Sequence, residues 1–206
     1  RLKPGSDYAK RYPQQVSLDG TRFPRLADLF AQVQAAGNST VRFNIETKLS
    51  PFERGQTPGP EAFVSALLAV IDAHGMHRRV SIQSFDWRTL KVVQATAPDI
   101  PTVYLSAQQK FLDNINAGSR EGSAWTAGLN AQDFGGSVPG MVKAAGGAAW
   151  APYFGDLTPE KLAEAKGMGL VVIPWTVNER KDLDRMLVWG VDGIISDYPD
   201  RARAAI

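Results

Sequence analysis

One pattern limits what this chain can fold into: short runs rich in Val, Ile and aromatic residues alternate with amphipathic stretches along most of its length. The runs fall at residues 41–48, 80–85, 102–106, 148–154, 170–177 and 193–197. Each is short and largely apolar, as strands buried on both faces of a parallel sheet are. The stretches between them carry helix signals. Pro24 opens a segment with Leu26, Leu29, Phe30 and Val33 on one face, and Gly37 closes it. Pro60 opens a second, with Phe63, Leu67, Leu68 and Ile71, closed by Gly75. Asp86 is placed to cap a helix bearing Leu90 and Val93, and Thr158 to cap one with Pro159 at its first position. Asn178 stands where a cap would precede Leu183, Met186 and Leu187, with Gly190 as the stop. These choices follow from unpaired amides at helix starts and left-handed backbone at helix ends. Strand–helix alternation on this scale predicts a parallel sheet covered by helices. A barrel and an open doubly wound sheet both fit. No glycine-rich loop follows a strand, so a nucleotide-binding sheet has little support.

The bulk numbers narrow the classes. The chain has 206 residues, 44% hydrophobic and 21% charged, enough for one sizeable core but short of the roughly 250 of a complete (β/α)8 barrel. The net charge of +2 is spread along the chain, with no basic run that would suit nucleic acid or an anionic membrane. Cysteine is absent, which removes disulfides and thiolate metal sites. No stretch reaches the roughly 18 apolar residues of a spanning helix, and the opening six residues hold no apolar signal core. One region breaks the alternation. Residues 107–140 are rich in Gly, Ser, Asn and Gln, with Phe111, Trp125 and Phe134 among them. A long excursion after a parallel strand lies on the catalytic face of a barrel, so it is expected to be either a lid or a surface decoration.

The most informative segment is Phe43-Asn44-Ile45-Glu46-Thr47-Lys48. Side chains alternate along a strand, so Asn44, Glu46 and Lys48 share one face. Three polar groups on the inner face of a parallel strand cost free energy unless they are paired or used. Two readings fit: an internal Glu–Lys ion pair, or a carboxylate for a hard cation beside a lysine for a phosphate. Phe85 and Trp175 lie near strand ends, where an aromatic ring walls a pocket or joins the core. Asp197 ends the last run, where a local turn bond is the expected role. His74 and His77 flank Gly75 and are expected at the surface of a helix end. No histidine stands near a strand's carboxyl end, so no Ser-His-Asp arrangement is expected.

Four segments together resemble the glycerophosphodiester phosphodiesterase family: 43–48, Ser81-Ile82-Gln83-Ser84-Phe85-Asp86, Pro174-Trp175-Thr176-Val177-Asn178, and residues 190–199, which read Gly-Val-Asp-Gly-Ile-Ile-Ser-Asp-Tyr-Pro. Their order and spacing carry the resemblance, which runs from about Arg22 to the end. It implies a (β/α)8 TIM barrel of the phospholipase C-like phosphodiesterase type. The 206 residues would form one partial barrel domain whose first two strands are missing, with the excursion at about 107–140 as an insertion. It further implies that Glu46 is a divalent-metal ligand, for Mg2+ or Ca2+. Lys48 would contact the phosphate, and Phe85 and Trp175 would line the glycerol side.

The activity implied is metal-dependent hydrolysis of a small-molecule glycerophosphodiester to sn-glycerol 3-phosphate and an alcohol. One histidine would activate the neighbouring glycerol hydroxyl, giving a cyclic phosphate that water opens. A second would protonate the leaving alcohol. The family's His-Arg-Gly, Pro-Glu-Asn-Thr, Glu-Leu-Asp and His-Asp motifs do not occur here, so these residues alone are expected to be inactive. A periplasmic or secreted setting is favoured over the cytoplasm, and oligomeric state is left open. Competing readings are a barrel that binds without turnover, a phospholipase D-type phosphodiesterase, and an unrelated barrel using Glu46 and Lys48 for proton transfer without metal.

Overall fold

The computed structural model describes residues 7–206 apart from 13, 14, 17 and 54. The opening stretch 1–6 lies outside the described residues. The chain divides into two compact units, Arg1–Ser39 and Thr40–Ile206. The first holds helices α1 (Asp7–Arg11) and α2 (Leu26–Ala35), the latter following Pro24 as its sequence predicts. The second holds the sheet and everything that follows.

In that second unit the predicted alternation is realised. Strands β1 (Phe43–Glu46), β2 (Val80–Ser84), β3 (Thr102–Ser106), β6 (Ala149–Pro152) and β7 (Val171–Val172) form one sheet in the order β1-β2-β3-β6-β7. Every pairing in it is parallel. Helices α3 (Pro60–Ala73), α4 (Trp87–Thr96), α5 (Val138–Ala144) and α6 (Pro159–Gly167) lie between them, and α7 (Arg180–Trp189) and α8 (Pro199–Ala205) follow β7. Strand order following chain order, with a helix in each connection, is the topology of a (β/α)8 barrel wall.

The caps behave as the chain predicts at two of three places. Asp86 accepts from Arg88 N at 3.2 Å, and Thr158 accepts from Lys161 N at 3.3 Å with Pro159 at the first position. Asn178 differs. Helix α7 starts from Glu179 without a side-chain cap. Asn178 is drawn instead to the last run, accepting from Asp197 N at 2.9 Å and donating to Asp197 Oδ2 at 3.0 Å. An amide side chain can donate and accept at once, which suits a link between chain segments better than a single cap bond.

The last predicted strand is present as hydrogen bonding rather than as a regular ladder. Ile195 N donates to Pro174 O at 3.0 Å and Val177 N to Ile195 O at 2.9 Å. Pairing of the preceding strands also runs past the end of β7. Trp175 N donates to Pro152 O at 3.0 Å, and Tyr153 and Trp175 form a parallel bridge. Pro152 and Pro174 each lack an amide hydrogen, so the ladder loses a donor on both chains here.

The sheet's two faces have different chemistry. Toward the helices lie Trp87, Tyr104 and Trp150, all essentially without solvent contact. Their polar atoms are satisfied: Trp87 Nε1 donates to Leu105 O (3.1 Å), Trp150 Nε1 to Ser106 Oγ (2.8 Å) and the Tyr104 hydroxyl to Ala145 O (3.0 Å). On the other face Val103, Leu105, Ala149 and Ala151 form an apolar cluster with Phe85, Ile173 and Trp175 packed on it. No helix of the described residues is long and apolar enough to cross a membrane.

Candidate active site at the strand ends

The site is built on the end of β1. Thr47, just past that strand, points its hydroxyl the other way from its neighbours and bonds Thr89 Oγ1 at 2.7 Å. Ser84 Oγ donates to the Thr47 carbonyl at 2.7 Å and accepts from Asp86 N at 3.1 Å. Thr89 Oγ1 lies 2.9 Å from Asp86 O. Thr47, Ser84, Asp86 and Thr89 are all buried, so these bonds act where water does not compete. Asp86 is held by Arg88, whose Nε is 2.8 Å from Oδ1. Hydrogen bonding to Asp86 raises the Arg88 pKa above its ordinary value. This network clamps the carboxyl end of β1 to the β2–α4 turn, and alternation then turns Glu46 and Lys48 to the opposite side.

On that side Asn44 and Glu46 meet different fates. Asn44 Nδ2 donates to Gln83 Oε1 at 2.6 Å, and Ser81 Oγ donates to Asn44 Oδ1 at 2.9 Å. Oε1 of Glu46 is buried and has no hydrogen-bond partner. Lys48 Nζ lies 3.8 Å from it, close enough for Coulomb attraction and too long for a hydrogen bond. The Lys48 side chain is 85% exposed, so water screens much of that attraction. The internal ion pair anticipated as one reading is therefore loose, and it leaves a buried carboxylate oxygen unsatisfied.

Glu46, Lys48, Phe85 and Trp175, the four residues singled out in the sequence, line one cavity of about 280 Å3 together with Thr47, Leu49, Phe111, Leu112 and Trp125. Phe85 and Trp175 meet edge to face at 5.2 Å, and Trp175 Nε1 donates to Ala151 O at 2.8 Å. Tyr153 continues the stack, 5.4 Å from Trp175 and 5.2 Å from Phe111. Gly155 leaves the room this needs: a Cβ there would stand 2.6 Å from Tyr153 Cε1.

Phe111, Leu112 and Trp125 come from the 107–140 excursion, which is folded rather than structureless. It opens with a tight hairpin, β4 (Gln108–Gln109) and β5 (Leu112–Asp113), and continues through 3-10 helices at Ala124–Thr126 and Ala131–Phe134. Asn114 fastens its base. The fully buried amide accepts from Ala107 N at 2.8 Å and donates to Leu105 O at 3.1 Å and Phe85 O at 3.3 Å. Asp156 holds the hairpin through Gln108 N (2.8 Å) and Gln109 Nε2 (2.6 Å). Nothing in the local pattern assigns Phe111 or Trp125 to the site beyond their place in a polar excursion after a strand. Asn114 carried no signal at all.

His74 and His77 lie away from this cavity. His74 ends α3, and His77 begins a short 3-10 helix leading into the amino end of β2, where it pairs with Asp72. Glu46 stands at the carboxyl end of the neighbouring parallel strand. A hard divalent cation takes six or more oxygen ligands. Among the described residues no group of three His, Cys, Asp or Glu side chains is placed to hold a metal. The unsatisfied oxygen of Glu46 fits one ligand of such an ion, and by itself it does not make a site.

Parallel strands in barrel order, with polar groups and aromatic walls gathered at their carboxyl ends, define an α/β barrel chain of the enzyme-bearing kind. Comparison with known proteins specifies which. Residues 2–201 match the model of the glycerophosphoryl diester phosphodiesterase family, starting some way ahead of the motifs that carry the resemblance. The chain belongs to that family. It is 28% identical over 205 residues to a glycerophosphodiester phosphodiesterase of Bacillus subtilis, covering 97% of this chain and 60% of that protein. A solved structure from Silicibacter pomeroyi, assigned as a glycerophosphoryl diester phosphodiesterase, is 36% identical. It superposes with a TM-score of 0.80 over 97% of this chain and 61% of that one. The fold is also that of an Oleispira antarctica phosphodiesterase solved with sn-glycerol-3-phosphate, at TM-score 0.63 and 20% identity over 88% of this chain and 60% of that one. The chain thus spans about three fifths of the length of the relatives it matches.

Proposed function

We propose that this chain forms the phosphate-facing part of an enzyme that hydrolyses glycerophosphodiesters to sn-glycerol 3-phosphate and an alcohol. The observation that carries the reading is the buried Glu46 oxygen without a partner, set beside Lys48 in an aromatic-walled cavity. A buried carboxylate oxygen left unsatisfied costs free energy that a cation in the working site would recover. Family membership and the product bound by the Oleispira relative support the substrate class.

Within this reading Glu46 is one ligand of a divalent cation, Mg2+ or Ca2+. Such an ion supplies electrostatic stabilisation of charge on the phosphoryl oxygens. Lys48, exposed and flexible, meets a non-bridging oxygen as a point charge. Phe85 and Trp175 shape the glycerol side and exclude water from it. The Thr47–Thr89–Ser84 bonds hold the β1 end so that Glu46 and Lys48 need not reorganise when substrate arrives. No histidine reaches the cavity, so proton transfer at the attacking hydroxyl and the leaving alcohol rests on groups outside it. The 206 residues by themselves are expected to be inactive.

The test is release of sn-glycerol 3-phosphate from glycerophosphocholine by the intact protein. Glu46→Gln keeps the shape and removes the charge. It is expected to lower kcat by roughly 100- to 1000-fold, the scale of losing one preorganised electrostatic contact. Chelator should abolish turnover, and added Mg2+ or Ca2+ should restore it. Full activity in Glu46→Gln, or indifference to chelator, would sink the reading.

A further inference from the structure

The rings that the excursion adds to the cavity have a use that family membership does not assign. Phe111 and Trp125 join Phe85 and Trp175, so four aromatic side chains line a space of about 280 Å3. The polar atoms around them are mostly committed. The Thr47 hydroxyl is bonded to Thr89, and the Trp175 indole N–H to Ala151 O. The Trp125 indole and Lys48 are donors only. Among the lining side chains the one acceptor left is Glu46. A leaving group with several hydroxyls, or a primary ammonium with three protons to place, would find no acceptor on Phe111 or Trp125 and would lose hydrogen bonds to water against them. A quaternary ammonium makes no hydrogen bonds, and its diffuse charge is attracted by aromatic faces. The cavity is at the small end for ligand sites, of roughly 300–1,000 Å3, so a long acyl chain would overrun it.

We propose that Phe111 and Trp125 form a subsite for the quaternary ammonium of a choline-type leaving group, which sets the substrate preference. This rests on the hydrolytic reading above and names its alcohol. Both residues act on specificity: they touch the part of the substrate that departs, while Glu46 and Lys48 face the phosphate. Phe111 is 65% exposed, at the tip of the hairpin, and so can be changed without opening the core.

The experiment has two arms, both on the intact protein. In the first, binding of choline is compared with that of 3,3-dimethyl-1-butanol, its uncharged isostere, by saturation-transfer NMR on the methyl protons. Choline should bind about 5-fold more tightly, as expected for a partly desolvated cation over aromatic rings. Phe111→Leu and Trp125→Leu, which keep an apolar wall, should each erase most of that difference. Equal affinity for the two ligands, or a preference that survives both substitutions, overturns the proposal. In the second arm, kcat/KM for glycerophosphocholine over glycerophosphoethanolamine should exceed one and fall toward one in both variants. A ratio of one in the unchanged protein also overturns it. Failure to hydrolyse any glycerophosphodiester, with the choline preference intact, would count against the hydrolytic reading and leave the subsite standing.

Discussion

At the scale of single residues, the decisive contrast is between Thr47 and Glu46, neighbours that alternate to opposite sides of one backbone. Thr47 is buried in a closed set of hydroxyl bonds, and Glu46 has an oxygen that nothing satisfies. The first arrangement fixes the strand end from which Glu46 projects, while the Glu46 side chain stays partly exposed and only its Oε1 is cut off from water. Ser84→Ala should test the support. It leaves the Thr47 carbonyl and Asp86 N without their bonds to Ser84 in a buried setting, at a cost of about 1–3 kcal/mol. Urea unfolding of the variant should show that loss as a lower midpoint with an unchanged slope. The alternation that places Glu46 and Lys48 on one face is visible in the sequence, because it depends only on backbone period. The looseness of their pairing, at 3.8 Å, is not, because it is settled by how Phe85 and the excursion pack around the cavity they share.

At the scale of elements, the excursion is the part of the molecule where local patterns carry least information. Its Gly, Ser and Asn residues specify turns, and none of them says where the turns will lie relative to the sheet. Asn114 decides that by bonding the backbone at Phe85, Leu105 and Ala107, three positions near the ends of β2 and β3. Asn114→Ala removes all three bonds from a fully buried position. It should cost about 2 kcal/mol, felt mainly in the excursion. Amides in the hairpin and the two 3-10 helices should exchange hydrogen faster, while those of β2 and β3 keep their protection. Equal loss of protection throughout would show that the excursion is no separate unit. Asn178 teaches the same lesson. Read locally it is a cap. In the fold it links two chain segments, because Asp197 and Ser196 come within reach of both ends of its amide.

At the scale of the whole molecule, the layer between sheet and helices sets the limits of stability. Tyr104 lies there, essentially without solvent contact, against Trp87. Burial pushes its phenol up to about 12, and hydrogen bonds with Gln94 and Thr102 offset part of that rise. The unfolded chain would ionise near 10. The neutral phenol therefore stabilises the fold fully below pH 10, and that contribution is lost as pH rises through about 12. Over this window the loss is on the order of 2–3 kcal/mol. Alkaline titration followed by circular dichroism should show stability falling from pH 10 upward, and Tyr104→Phe should flatten the fall. A Tyr104→Phe profile with the same steepness would remove this residue from the account.

The sequence by itself determined the strand–helix alternation, the caps at Asp86 and Thr158, and the face shared by Glu46 and Lys48. All of these follow from periods of two and 3.6 residues and from the chemistry of helix ends, acting within a few residues of chain. The family resemblance, not any period, added Phe85 and Trp175. Tertiary structure decided which groups those four residues would share a cavity with. Phe111 and Trp125 lie more than sixty residues from Glu46 in the chain, and no periodicity relates them. Their approach depends on where buried polar atoms such as those of Asn114 find partners, and on the space Gly155 leaves for Tyr153. Those are properties of a packed interior, in which each position is fixed by neighbours that the local sequence does not name.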